Sequence, residues 1–174
     1  LDRFGANIVM VPKSENLSLS YGGINVGGVS YEVKEFAESD LPRIREIKDS
    51  RNLGAVAPKV MGAVDVDSRS VLLMGADLEV ELPLKTWWHL QGNPPAHDRE
   101  VIIGSEASNA LGLDVGDTIM MNGQEFMISA KLAPTGGPED SIIVGDLHTV
   151  QKVLGKEGKI SMVEIAAFCR DCPI

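Results

Sequence analysis

The sequence predicts an α+β fold, and three observations predict it. Strand and helix signals are mixed along the chain without the strict strand–helix–strand repetition of a parallel α/β sheet. Asn122-Gly123, between two apolar runs, is the strongest short-range hairpin turn in the chain and marks an antiparallel pair. Two short helical patterns, ending at Gly112 and Gly155, interrupt the strands that flank them.

The chain has 174 residues, of which 44% are hydrophobic and 24% charged. That length suits one domain or two small subdomains and buries about 70% of the unfolded surface, so neither metal nor disulfide is needed for folding. The formal charge of −9 disfavours nucleic acid and anionic lipid as partners. The densest basic stretch, Arg43 to Arg51, is interleaved with Glu46 and Asp49 and reads as a solvated helix face. No window carries the roughly 18 apolar residues of a membrane helix, and no signal peptide is recognisable. The chain starts at Leu1 and stops at Cys172-Pro173-Ile174, ends that read as those of a fragment.

In order, Asn7 to Val11 is an apolar run closed by Pro12 and predicts a buried strand. Residues 13–30, with glycine pairs at 22–23 and 27–28, predict a loop carrying a ragged hairpin. Ser39 or Asp40 can cap a helix with Pro42 in its first turn and Leu41, Ile44 and Ile47 on one face. Leu53 to Val66, a turn at Asp67-Ser68-Arg69, and Ser70 to Gly75 predict a β-hairpin. At residues 85–99 the composition changes, through Trp87-Trp88-His89 to Asn93-Pro94-Pro95, and a second unit begins. It reads as strand (Glu100 to Gly104), helix capped by Ser105, strand (Thr118 to Met121), turn, and return strand (Gln124 to Leu132). Pro134 to Pro138 breaks the pattern and brings the chain back to a strand at Ser141 to Val144. A helix over Leu147 to Leu154, capped by Asp146, and a strand over Ile160 to Phe168 follow.

The one pointed chemical signal is Cys169-Arg170-Asp171-Cys172. A Cys-x-x-Cys between a strand and a proline that can open a helix is the setting that lowers a thiol pKa. In an oxidising compartment a local disulfide is the simplest reading. Redox or metal use of Cys169 and Cys172 is the alternative, and a closed zinc site would need ligands from elsewhere. His89, His97 and His148 show no metal-ligand spacing. Trp87 and Trp88 are candidates for a partner-facing element or for a hydrophobic seam, and Tyr21 for a partner-facing loop tip. The glycines match neither a P-loop nor a dinucleotide fingerprint, and no Gly-x-Ser-x-Gly appears. Glu139-Asp140 reads as a solvated turn, and Met120, Met121 and Met127 as core filling. No catalytic residue and no cofactor are predicted.

With these elements in place, the chain resembles the MacB-like periplasmic core domain, found between the first two membrane helices of FtsX-like ABC transporter permeases. The likeness is carried by Phe4 to Val11, by Asp40 to Ile47 with Val56-Ala57-Pro58, and by Glu100 to Ala107 followed by Ala110 to Ile119. The resemblance implies a porter-like α+β subdomain from 1–85 and 141–174 and a smaller α/β subdomain inserted at 86–140. The Pro/Gly-rich breaks lead us to expect that residues 88–137 can be excised without unfolding the remainder. The resemblance also implies a non-enzymatic domain on the periplasmic side of the inner membrane, within a membrane-embedded permease that dimerises. ATP hydrolysis by a cytoplasmic partner subunit would move the domain against a periplasmic protein or substrate that the sequence does not identify. A redox or metal-relay module built on Cys169 and Cys172 is the competing expectation.

Overall fold

A computed structural model describes residues 6–12, 20–21, 24–25 and 35–168. The run before Pro12 forms β1 (Ile8–Met10), and β2 (Ser20–Tyr21) pairs with β3 (Ile24–Asn25). After β4 (Phe36–Ala37) the expected α-helix is instead a series of 3₁₀ turns over Glu38–Glu46. Ser39 and Asp40 lie inside that segment, and the residue before it, Ala37, has no side-chain oxygen to cap with. Pro42 cannot donate to the carbonyl four residues back, and no residue of the segment is fully buried. Ile47 remains 53% exposed, whereas Leu41 and Ile44 rest against the core.

β5 (Leu53–Val66) and β6 (Arg69–Ala76) form the long hairpin. Asp67 and Ser68 both adopt positive φ, 48° and 65°, as a two-residue turn matched to strand twist requires. The next element was not expected. α1 (Leu78–Leu84) starts at Asp77, whose Oδ1 accepts from the Glu79 amide at 3.1 Å. Leu78, Val80, Leu82 and Leu84 alternate with polar residues and Pro83, a strand-like period that hides the helix.

β7 (Leu90–Gly92) follows, then β8 (Glu100–Ile103), α2 (Ser105–Leu111), β9 (Thr118–Met121) and β10 (Gln124–Leu132). Gly104, not Ser105, occupies the cap of α2. A side chain there would run into the backbone carbonyl oxygens of Glu139 and Asp140. Gly104→Ala is therefore expected to cost about 1–3 kcal/mol, as for other overpacked sites. Urea unfolding reads this; an unchanged midpoint would mean that the 137–141 segment yields freely.

A 3₁₀ turn (Pro138–Ser141) returns the chain to β11 (Ile142–Asp146) and α3 (Leu147–Leu154). Asp146 caps α3 through the Thr149 amide at 2.9 Å, and Gly155 ends it at φ 63°. The expected last strand is broken into β12 (Lys159–Ile160) and β13 (Met162–Ala167). Ser161 sits at the break because its amide donates to the Lys59 carbonyl while its Oγ accepts from the Met61 amide.

The main sheet has nine strands in the order β1-β13-β5-β6-β11-β8-β10-β7, with β9 beside β10. β6–β11 and β8–β10 are parallel and the other pairs antiparallel, the mixed sheet of an α+β fold. Alternation along its strands buries both faces. Val60, Leu73, Ile103 and Ile143 share the larger core with Leu147, Val150 and Val153 of α3. Met74, Ile102, Ile142 and Val144 face the other way, toward Trp88, Ala130 and Leu132, with Leu78 and Leu82 of α1 packed against them. The sheet runs without interruption between residues 86–140 and the rest, through Ile103↔Ile143 and Ile102↔Val144.

Candidate functional site

Two charged residues stand inside strongly apolar strands, Lys59 in β5 and Glu164 in β13. The register pairs Lys59 with Met162 and Glu164 with Ala57, so the two side chains lie diagonally on one face. Lys59 Nζ is 2.6 Å from Glu164 Oε2 and 3.0 Å from Glu81 Oε2 on α1. Lys85, just past α1, adds a second ammonium 2.9 Å from Glu164 Oε2 and 3.9 Å from both Glu81 Oε1 and Glu139 Oε1. Lys59 and Glu81 are 2% and 0% exposed, so the centre of this network is shielded from water, while Glu139 and Glu164 at its rim keep partial access.

Burial pushes the Glu81 carboxyl above its ordinary value, and the attraction of Lys59 only partly offsets it. Burial also pushes Glu164 upward, but its hydrogen bonds from Lys59 and Lys85 outweigh that and hold it below the ordinary range. The arrangement ties β5, β13, α1 and the 138–141 turn together. It offers no nucleophile, because both ammoniums are held by carboxylates.

The charged network itself lines one side of a cavity of about 200 Å³, whose remaining wall is Met61, Met74, Met162, Leu72, Ile142, Pro138 and Trp88. The two tryptophans part company here. Trp87 is 43% exposed, with Lys85 Nζ 5.3 Å from its ring centre. Trp88 is 7% exposed and packs into the second core, which removes it from any partner-facing surface. The Glu139-Asp140 reading as a solvated turn needs correction. Asp140 is 4% exposed and accepts hydrogen bonds from the Thr135 amide and hydroxyl and from the Gly136 amide. The bond from the Thr135 amide leads the causes that hold its carboxyl low. Of the hairpin methionines only Met121 is core, while Met120 and Met127 face outward at 52% and 43% exposure.

A larger cleft of about 430 Å³ collects Glu38, Asp77, Asp98, Asp146, His97 and His148. His148 Nε2 lies 2.9 Å from Glu38 Oε1, and Gln151 Nε2 donates to Glu38 Oε2 at 2.8 Å. Burial raises the Glu38 carboxyl, but the hydrogen bonds from Gln151 and His148 prevail and lower it. Asp77 and Asp146 are already engaged as helix caps. Among the described residues no three His, Cys, Asp or Glu side chains are placed to hold a metal ion. Cys169 and Cys172 lie outside the described residues, and Tyr21 is described only through its backbone pairing with Ile24.

Sequence reasoning missed Lys59, Glu81, Lys85 and Glu164. The available signal was a lysine and a glutamate, of opposite sign, each flanked by apolar residues within its strand.

The family model for the MacB-like periplasmic core domain matches residues 2–167. A comparison with curated protein sequences gives no match. Among solved structures, the extracellular domain of the noncanonic ABC-type transporter YknZ from Gram-positive bacteria is similar at 15% identity and a TM-score of 0.60. That alignment covers 79% of this chain and 75% of the other. The periplasmic region of MacB from Actinobacillus actinomycetemcomitans is similar at 16% identity and a TM-score of 0.54, over 78% of this chain and 65% of the other. At these identities the likeness is one of fold.

Proposed function

This chain belongs to the MacB-like periplasmic core domain family, and we propose that it transmits ATP-driven motion of a permease's membrane helices to a periplasmic partner or substrate. Hydrolysis takes place on a separate ATPase subunit in the cytoplasm, and the domain itself performs no chemistry. Residues 1–85 with 141–174 form the base, and residues 86–140 are the part carried farthest from it.

One observation carries this reading. β1 and β13, the first and last strands of the main sheet along the chain, pair at one end of it, and β5, β6, β11, β8, β10 and β7 follow in hydrogen-bonded order to the far end. A displacement applied at the β1–β13 end therefore reaches the inserted segment through hydrogen-bonded strands, with no flexible linker in between. The ion network adds side-chain links between β5, β13 and α1 along this path. A close-packed core likewise passes strain on instead of absorbing it.

The test is distance measurement between spin labels in the full permease with its ATPase, in a Cys169→Ser/Cys172→Ser background. Labels at Val9→Cys and Met120→Cys, both on exposed positions, report on the interior of one domain. Their separation is expected to stay constant when ATP is added, while the separation between the Met120→Cys labels of two permease copies changes. A constant inter-copy distance, or a domain that bends between Val9 and Met120, would overturn rigid transmission.

A further inference from the structure

Three of the chain's seven methionines meet on one face of the main sheet. Residues 59 and 61 of β5 share a face by strand alternation. Register sets Met74 of β6 directly opposite Met61, and Met162 of β13 directly opposite Lys59. The strands are neighbours in the order β13-β5-β6, and Met61, Met74 and Met162 all line the cavity of about 200 Å³ beside the ion network. Side chains opposite one another stand about 4.5–5.5 Å apart at Cβ, within reach of a thioether carried on three rotatable bonds. A methionine that serves as core filling closes the space around it, as Met121 does with no exposed surface. The three methionines instead leave space open between them, and Met61 and Met162 are only half-buried.

We propose that Met61, Met74 and Met162 form a three-thioether site for a soft monovalent cation, Cu(I) or Ag(I). Thioether sulfur is a soft, uncharged ligand, which suits Cu(I) and leaves harder cations better served elsewhere. The charges around the cavity tolerate such an ion. Glu81, Glu139 and Glu164 line the same wall as Lys59 and Lys85, three carboxylates against two ammoniums. With all five ionised the wall carries one negative charge. With Glu81 protonated, the form that its burial favours, the wall carries none. In neither state does a net positive charge oppose a monovalent cation. Leu72, which also lines the cavity, is 39% exposed, so the site is not sealed inside the core.

The experiment uses the 174-residue chain carrying Cys169→Ser/Cys172→Ser, because thiolates would otherwise take the ion first. Ag(I) is the probe, since it shares the softness of Cu(I) without its redox change, and the methionine methyl resonances are the readout. Saturable shifts at Met61, Met74 and Met162 are expected, while Met120 and Met127, exposed on β9 and β10, stay in place. Met61→Leu and Met162→Leu keep the side-chain volume and are expected to fold. Each is expected to weaken Ag(I) about tenfold or more, since even changes beside a metal's ligands cost about 10–100-fold. Met120→Leu/Met127→Leu is expected to bind as the parent does, and Zn²⁺ to leave the three methyl groups unmoved. The proposal fails if the three resonances shift linearly without saturating, or if Zn²⁺ moves them as Ag(I) does. It also fails if Met61→Leu and Met162→Leu, folded by their amide spectra, bind Ag(I) as the parent does, or if Met120→Leu/Met127→Leu weakens it equally.

Discussion

Lys59→Met is expected to lose about 3–5 kcal/mol of folding stability at neutral pH, the usual cost of stripping one partner from a buried ion pair. The magnitude follows from what is left behind. Glu81 is fully buried and Glu164 largely so, with 14% of its side chain exposed, and Lys59 is the ammonium nearest to both. Lys85 stays close to Glu164 but is 3.9 Å from Glu81. A partner substitution should reverse most of the loss: Lys59→Met/Glu81→Leu removes one charge of each sign and leaves Lys85 paired with Glu164.

The pH dependence of the single variant separates this cause from lost packing. In the parent, Glu81 is raised from 4.5, so its contribution is present below that pH and is lost as pH rises through its folded value. Glu164 is lowered from 4.5, so its contribution is present above that pH and is lost as pH falls through its folded value. In Lys59→Met, Glu81 loses its nearest ammonium and favours the protonated form, while Glu164 keeps Lys85 alone. The deficit against the parent should therefore be largest near neutrality and shrink as pH falls toward 4.5. Urea unfolding at several pH values measures it. A deficit under about 1 kcal/mol at neutral pH would fit a solvent-screened pair and contradict the buried network.

Excision of residues 88–137, closed with a short Gly/Ser linker, is expected to abolish cooperative unfolding, contrary to what the Pro/Gly-rich breaks alone lead one to expect. The cut removes β8, which supplies the β11 pairings at Ile102 and Ile103, and takes Trp88, Ala130 and Leu132 out of the second core. It also takes Val101, Ile103, Ile119, Met121, Phe126 and Ile128 out of the first. Burying a side chain of this size stabilises by about 1.5–3 kcal/mol, and a typical domain has only about 5–15 kcal/mol in total. The remainder should bind a hydrophobic dye and show no sharp calorimetric transition. A sharp transition in the excised protein would mean that the two segments fold independently after all.

Local chemistry made much of the fold legible. Asn122-Gly123 turns because both residues accept positive φ. Asp146 and Gly155 bound α3 because a side-chain acceptor and a left-handed glycine satisfy its two ends. The order of such signals over nearly the whole chain was also enough to place the family. Where local signals conflicted, reading failed: α1 carries a strand-like period, and Pro42 left a 3₁₀ segment in place of an α-helix. The candidate site was beyond reach for a different reason. Lys59, Glu81, Lys85, Glu139 and Glu164 come from four separate segments of the chain, and each taken alone is an ordinary charged residue. Sheet register brings Lys59 and Glu164 onto one face, and the packing of α1 on that face brings in Glu81. Trp88 differs from Trp87 in the same way: adjacent residues of one type, of which packing buries one and leaves the other in water. Burial and pairing are properties of contacts between distant segments, and those contacts arise only once the whole sheet has formed.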